Sequence, residues 1–454
     1  MVLGRQGTFA GGIALPDEKH DTKDRDVEAF AMASPDGTAL PTVLRVPLWP
    51  DGRHGAVSVV SPGQRVQAGE RIARATEGGV DIFAPLAGVA GPTRRVRVAH
   101  GDRWELVEAL ELRDLTGPWT LPEFTPTFDW QAGDNDALRD RLTQGQLVLH
   151  RRRPEPLATF LERARRKAVR TLIVNGMENQ PYVSADHRVL AEHGQHVLTG
   201  AAILARAIGA RQTHLAADRR RVRAYGKLPA GAEKLGIHLV ALGHKYPIGS
   251  DTILTKILTR RERPIGGNVM DVGVAVVNAA TCLAVFGWGV CGQRSLGRVT
   301  TVVDERSRDG RRGNVYVPWG LACADLLPGE NVLHGGPMNA LPCPEDGVIG
   351  PASAALLAIR TPPYQPPSVC IRCGWCNDYC PARLNVAALN DAFELGQIDL
   401  AMTLGVEASM ECGVCSYVCP ARLPLTQRVK QLKRVVESQR EAKAKSTLPA
   451  EGRP

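Results

Sequence analysis

The feature that most constrains this chain is the run Cys370, Cys373, Cys376, Cys380, followed at once by Pro381. It is a complete C-x2-C-x2-C-x3-C-P pattern, the spacing that wraps three thiolates around one iron–sulfur cube and gives the fourth to a neighbouring cluster. A structural zinc site is the competing reading, but tetrahedral zinc favours two separated CxxC knuckles over a continuous run. A second copy follows at Cys412, Cys415, Cys419 and Pro420, with Ser409 where its first cysteine would stand. Crossed ligation then gives unequal sites. Cys370, Cys373, Cys376 and Cys419 would hold a [4Fe–4S] cluster, while Cys412, Cys415 and Cys380 would hold a second centre one thiolate short. That centre is expected to be [3Fe–4S], or [4Fe–4S] with a substitute ligand such as Ser409. Loss of the second cluster is the bland alternative.

The other four of the eleven cysteines (Cys282, Cys291, Cys323, Cys343) are scattered. Tight CxxC clusters without a signal-peptide pattern point to metal chemistry in a reducing compartment, not a disulfide framework. Net charge is +9, but aromatics make up only 5% and no nucleic-acid module appears, so nucleic-acid binding is not expected. The segment from Gly273 to Cys291 is apolar yet contains Asn278 and Thr281. It reads as a buried helix followed by a turn rather than a membrane span.

The rest of the chain divides by pattern. Residues 1–40 form an arm. Residues 41–115 alternate short apolar runs with Pro-Gly and Gly turns, as a small β-sandwich does. The stretches 60–72 and 84–89 are similar to the barrel-sandwich hybrid of biotinyl and lipoyl carriers, but no lysine lies between Gly55 and His100, so no swinging arm can be attached. Residues 115–135 read as a Pro- and Thr-rich linker. From 130 to 290 short buried strands (171–174, 238–242) alternate with helices (137–142, 157–169, 189–208, 251–258), arguing for an α/β sheet with sites at strand carboxyl ends. Residues 294–340 return to β structure. The cysteine motifs at 360–440 sit in helical sequence, and the basic tail 441–454 is expected to fray.

In combination these parts resemble the RnfC family, the iron–sulfur subunit of the Rnf ion-translocating electron-transport complex. The resemblance rests on Gly11-Gly12-Ile13 through Pro16 and Lys19, on the loop with Asn175, Glu178, Pro181, Tyr182 and Asp186, on Lys245-Tyr246-Pro247 with Gly249 and Asp251, and on Met270-Asp271 and Gly335-Gly336-Pro337. It implies a multidomain α+β protein with four parts: a barrel-sandwich hybrid, a flavin/NADH-type α/β domain, an SLBB-like β-grasp domain near 294–340, and a C-terminal α-helical ferredoxin domain. It further implies that Asn175, Glu178, Asp186, Lys245, Gly249 and Asp251 belong to a flavin/NADH site. The implied partners are other subunits of an Rnf- or Nqr-like complex and redox donor and acceptor proteins. The implied location is the cytoplasmic face of a bacterial membrane, held there through partners, with a bacterial microcompartment as the alternative.

The family's glycine-rich phosphate loop is replaced here by residues 142–154, which keep only Gly145 and end in His150-Arg151-Arg152-Arg153-Pro154. That stretch is more similar to the NqrA subunit of the sodium-pumping quinone reductase. It weighs against FMN and NADH, and the basic run reads as a solvated face. The reading is an electron-transfer subunit with a degenerate flavin domain. Its rivals are a flavin-dependent NADH oxidase of the cobalamin-reductase kind and a structural or ligand-sensing subunit.

Overall fold

A computed structural model describes residues 8–19, 22–31, 40–360 and 364–446. The N-terminal β unit holds two sheets. Strands Val43–Pro47, Arg103–Thr116, Ala87–His100 and Arg65–Val66 form one antiparallel sheet, and Ala56–Ser58, Arg71–Ala75 and Ile82–Phe83 the other. The two 14-residue strands make a long hairpin whose tip is Gly101-Asp102, with Gly101 in a left-handed conformation. Alternation along these strands turns Leu44, Val66, Ile72 and Leu112 into one core.

The α/β unit is a four-stranded parallel sheet in the order Ile237–Leu242, Gln212–Asp218, Thr171–Gly176, Val274–Asn278. Its helices pack Leu and Ala faces on it, chiefly Leu157–Arg166, Ala185–Ile208 and Ala279–Cys291. The stretch 273–291 differs from expectation. Val274–Asn278 is the edge strand of the sheet, and only Ala279–Cys291 is helical. The β-branched run Val274-Ala-Val-Val277 favours the pleat, and the Asn278 side chain accepts from Thr281 N and starts the helix. The stretch 115–135 has no regular structure, but it is not a free linker. Phe124, Phe128 and Trp130 pack on the α/β core, and Trp119 stacks on Tyr316 at 4.8 Å.

A six-stranded sheet follows, in the order Glu28–Ala29, Arg312–Pro318, Gly297–Asp304, Ala355–Ala358, Leu333–His334, Leu341–Pro342. It draws in strands before and after 294–340. Its Val302, Val315 and Leu356 share a core with the N-terminal β unit, so the two β layers are one body.

The cysteine region folds as a near-repeat. Short helices Trp375–Asp378 and Val414–Tyr417 are each preceded by a left-handed glycine, Gly374 and Gly413. Longer helices Val386–Glu394 and Leu425–Ser446 follow. Positive φ recurs at matching places, Arg372 with Glu411 and Arg383 with Arg422. Ser409 occupies the position of Cys370. Residues 447–454, the end of the expected fraying tail, lie outside the described residues. Among the described residues no helix is long and apolar enough to cross a membrane.

Candidate functional site

The carboxyl ends of Thr171–Gly176 and Val274–Asn278 open onto a cavity of about 730 Å³. Its walls come from four places: the sheet ends, the Arg151–Arg153 loop, the 334–341 segment, and Ser409–Cys412 of the cysteine region. Five of the six residues expected at a flavin-type site line it: Asn175, Glu178, Asp186, Gly249 and Asp251.

Much of their hydrogen-bonding capacity is spent on the scaffold. Glu178 accepts from the backbone N–H groups of Asp186 (3.0 Å) and His187 (2.7 Å), closing the start of helix Ala185–Ile208. Asp186 in turn accepts from Ala280 N (3.1 Å) and Asn278 Nδ2 (2.9 Å), at the start of helix Ala279–Cys291. Asn175 donates to the Gly249 carbonyl at 2.8 Å. Asp251 pairs with Arg151 at 2.7 Å. Burial pushes the carboxyl pKa values of Glu178 and Asp186 up. Arg298, 3% exposed, faces both; burial lowers it to about 10 and the two carboxylates work the other way. Lys19, 2% exposed, donates to the carbonyls of Glu178 (2.7 Å), Gln180 (2.9 Å) and Val183.

Lys245 is not at the cavity. Its amine donates to the Phe9 carbonyl (2.9 Å) and sits 4.8 Å from the centre of the Phe9 ring, pinning the N-terminal segment. The basic run is a second correction. His150 is buried and Arg152 nearly so, because hairpin tip 100–101 closes over the loop: Arg152 Nε donates to Gly101 O (2.8 Å) and Gly101 N to Arg152 O (2.7 Å). Nothing local to residues 150–153 signals this burial, since consecutive arginines normally seek water.

His150 bonds Ser295 Oγ at 3.0 Å. Burial, aided by Arg298, pushes its imidazole down to about 3. The unfolded imidazole protonates near 6.5, so the stability His150 contributes is complete above that pH. It is lost as pH falls from about 6.5 toward 3, at about 1.4 kcal/mol per pH unit. Glu178, with its raised pKa, acts in the opposite sense, so the comparison must be with a variant. The stability gap between wild type and His150→Gln is expected to narrow by about 2 kcal/mol between pH 6.5 and 5.0. Thermal unfolding at the two pH values checks this, and a constant gap would refute it.

The seven motif cysteines gather in two adjoining groups. Burial pushes the Cys376 thiol up to about 11, and the nearby thiols of Cys415, Cys419, Cys370 and Cys373 push the same way. Burial pushes Cys412 up to about 12, with Cys415 and Cys380 adding to it. Cys380 likewise raises Cys415. Cys380, Cys412 and Cys415 line a second, small cavity together with Ser409, Met410 and Thr426. Ser409 Oγ accepts from Glu411 N at 3.2 Å. Among the described residues, no three His, Cys, Asp or Glu side chains close on one point as a mononuclear metal site requires. The donor set itself fits iron–sulfur chemistry: soft thiols, crowded together, whose ionisation is costly until a cationic centre compensates it.

The two regions touch. Tyr246 OH donates to Cys412 O at 2.6 Å, and Cys412 lines both the large and the small cavity. Tyr246 was legible only as part of the Lys-Tyr-Pro motif, with no signal for this contact.

A β barrel-sandwich joined to a flavin-type α/β domain and a cysteine-rich helical region defines a class of electron-transfer subunits. Family models agree: the RnfC barrel sandwich hybrid domain matches residues 7–110, and the Nuo51 FMN-binding domain matches 156–287. The chain belongs to the RnfC family. It is 29% identical to the RnfC protein of the ion-translocating oxidoreductase complex of Rhodobacter capsulatus over 452 residues, covering 92% of this chain and 81% of that one. It is 28% identical to the protein of the same name from Edwardsiella ictaluri, covering 83% and 47%, and 29% identical to that from Pseudomonas aeruginosa, covering 85% and 51%. The chain thus spans about half the length of the latter two. An NAD+-reducing [NiFe]-hydrogenase structure aligns with TM-score 0.46 and 19% identity, over 74% of this chain and 70% of that one. The FMN-domain match begins after the Arg151–Arg153 loop, where the family's phosphate loop would lie.

Proposed function

We propose that this chain is the RnfC-like electron-transfer subunit of a membrane-associated redox complex. It would work beside the other subunits of an Rnf- or Nqr-like assembly and be held at the inner face of the bacterial membrane through them. Iron–sulfur clusters at the two thiol groups would pass electrons singly. The observation that carries this reading is the grouping of thiols across the near-repeat: Cys419 with Cys370, Cys373 and Cys376, and Cys380 with Cys412 and Cys415. On this reading residues 360–440 are an α-helical ferredoxin domain, 294–340 the centre of an SLBB-like β-grasp domain, and 41–115 the barrel-sandwich domain. The 130–290 domain is a flavin-type scaffold without a glycine cradle for phosphate.

The residues divide the labour by exposure. Cys373 is exposed and offers the first group to a redox partner, while Cys412 places the second against the large cavity. Tyr246 and Glu411 hold that junction. Glu411 is paired with Lys433 at 2.8 Å.

The test is iron and sulfide content with EPR, on anaerobically purified protein before and after dithionite. Two centres, one with a three-iron signal when oxidised, support the proposal. Ser409→Cys restores the missing thiol beside Cys380, Cys412 and Cys415, and is expected to add about one iron and abolish the three-iron signal. No iron after anaerobic reconstitution would overturn the relay in favour of a scaffold. Bound FMN bleached by NADH would instead make the chain an NADH oxidase.

A further inference from the structure

The large cavity carries an excess of positive charge: eight Lys and Arg side chains line it against five carboxylates. Most of these cations are accounted for. Arg151 pairs with Asp251 (2.7 Å), Arg163 with Glu155 (2.8 Å) and Lys433 with Glu411 (2.8 Å). Arg153 reaches Glu411 at 3.8 Å, and Arg298 donates to the carbonyls of Val299 and Pro351. Two guanidinium groups are left incomplete. Arg152 Nη2 and Arg263 Nε are both buried without a hydrogen-bond partner.

An arginine cannot discharge itself by losing its proton, so an unpartnered buried guanidinium nitrogen is costly. Arg152 is also held in place: its Nε and its carbonyl are both tied to Gly101 at the hairpin tip. A pre-positioned guanidinium loses little freedom when it captures an anion. The planar fork matches phosphate oxygens.

We propose that this cavity binds a phosphate ester of nucleotide size, with the phosphate held by the Arg152 side chain. Backbone N–H groups of a glycine loop take no part, because that loop does not exist here. The volume of about 730 Å³ is in the range of nucleotide-sized ligands and far larger than inorganic phosphate needs. Asn175, Asn179 and Asn339 supply neutral hydrogen-bonding groups on the same walls. The site lies where the hairpin tip, the Arg loop and the Glu411–Cys412 loop meet. A bound ligand would therefore brace the barrel-sandwich unit against the cysteine region. This inference goes beyond the electron relay and does not depend on either cluster.

The test is calorimetric titration of the full chain with FMN and with ADP, each beside its dephosphorylated counterpart, riboflavin or adenosine. At least one phosphorylated probe is expected to bind more than about tenfold tighter than its counterpart. Arg152→Gln should weaken that probe roughly 10- to 100-fold and leave the counterpart unchanged. Should that variant fail to fold, a salt series on wild type decides: affinity for the phosphorylated probe must fall with ionic strength while the counterpart's holds. Preference for FMN identifies a flavin ligand; preference for ADP identifies a dinucleotide. Equal binding of both members of each pair, binding of none, or an unaffected Arg152→Gln protein overturns the proposal.

Discussion

Cys419→Ala removes the same cluster as Cys370→Ala, Cys373→Ala or Cys376→Ala, although Cys419 belongs to the second motif. In each of these variants about four iron atoms per chain are expected to be lost, along with the EPR signal of the dithionite-reduced four-iron centre. Electron transfer to any partner served by that centre falls to background. Cys380→Ala does the converse: it leaves the four-iron signal and depletes the second centre together with Cys412→Ala and Cys415→Ala. The reason is geometric. Each half of the near-repeat presents its last cysteine to the other half, so the Cys376 thiol has Cys419 among its neighbours while Cys412 and Cys415 have Cys380. If Cys419→Ala instead depleted the centre held by Cys412 and Cys415, the crossed assignment would be wrong. Because Cys415 also lies near Cys376, the two centres adjoin, and loss of either should shift the potential measured for the other.

The second large effect is on stability. Lys19→Met is expected to cost about 3–5 kcal/mol, since it removes a buried charge from the side of Glu178 and leaves carbonyls without a donor. Lys19 Nζ serves Glu178 O, Gln180 O and Val183 O in one turn of chain, and Glu178 in turn closes the start of helix Ala185–Ile208. A fall in unfolding temperature of roughly 10 °C is expected for the unit that contains it. Limited proteolysis should locate the first cut in 178–188. A shift within about 2 °C of wild type would show that the carbonyls find water instead.

What could be read from sequence follows from how local each signal is. The cysteine spacing is a local property, so the ligand set and the missing thiol at Ser409 were legible without any structure. The alternation of residues 43–116 and the α/β rhythm after 157 were legible for the same reason. The apolar stretch 274–291 reads as one helix because a short buried strand and a buried helix look alike by hydropathy. Strands Glu28–Ala29 and Ala355–Ala358 join their sheet across long separations, which no periodicity reports. The flavin-type residues fall around the cavity as expected except Lys245, whose role depends on where Phe9 comes to rest. The arginine loop was the largest miss. Its burial is imposed by a hairpin from another unit, and three like charges in sequence carry no trace of that lid.

The Gly11-Gly12 pair has a consequence for how the chain is made. Gly12 N donates to Tyr379 O at 2.8 Å, and Ile13 pairs with Tyr246. A Cβ on Gly11 would meet the Cys380 carbonyl oxygen at 2.5 Å, in a backbone conformation (φ +66°) that disfavours side chains. The segment is thus clamped between the sheet unit and the cysteine region. On the ribosome it emerges well ahead of that region, and its binding place is completed only when residues near 380 have been translated. The earlier-made segment must wait for a much later one, so final closure of this protein comes late in its synthesis or after it. A bulky addition ahead of this segment would act on that closing step rather than on the folding of any single unit.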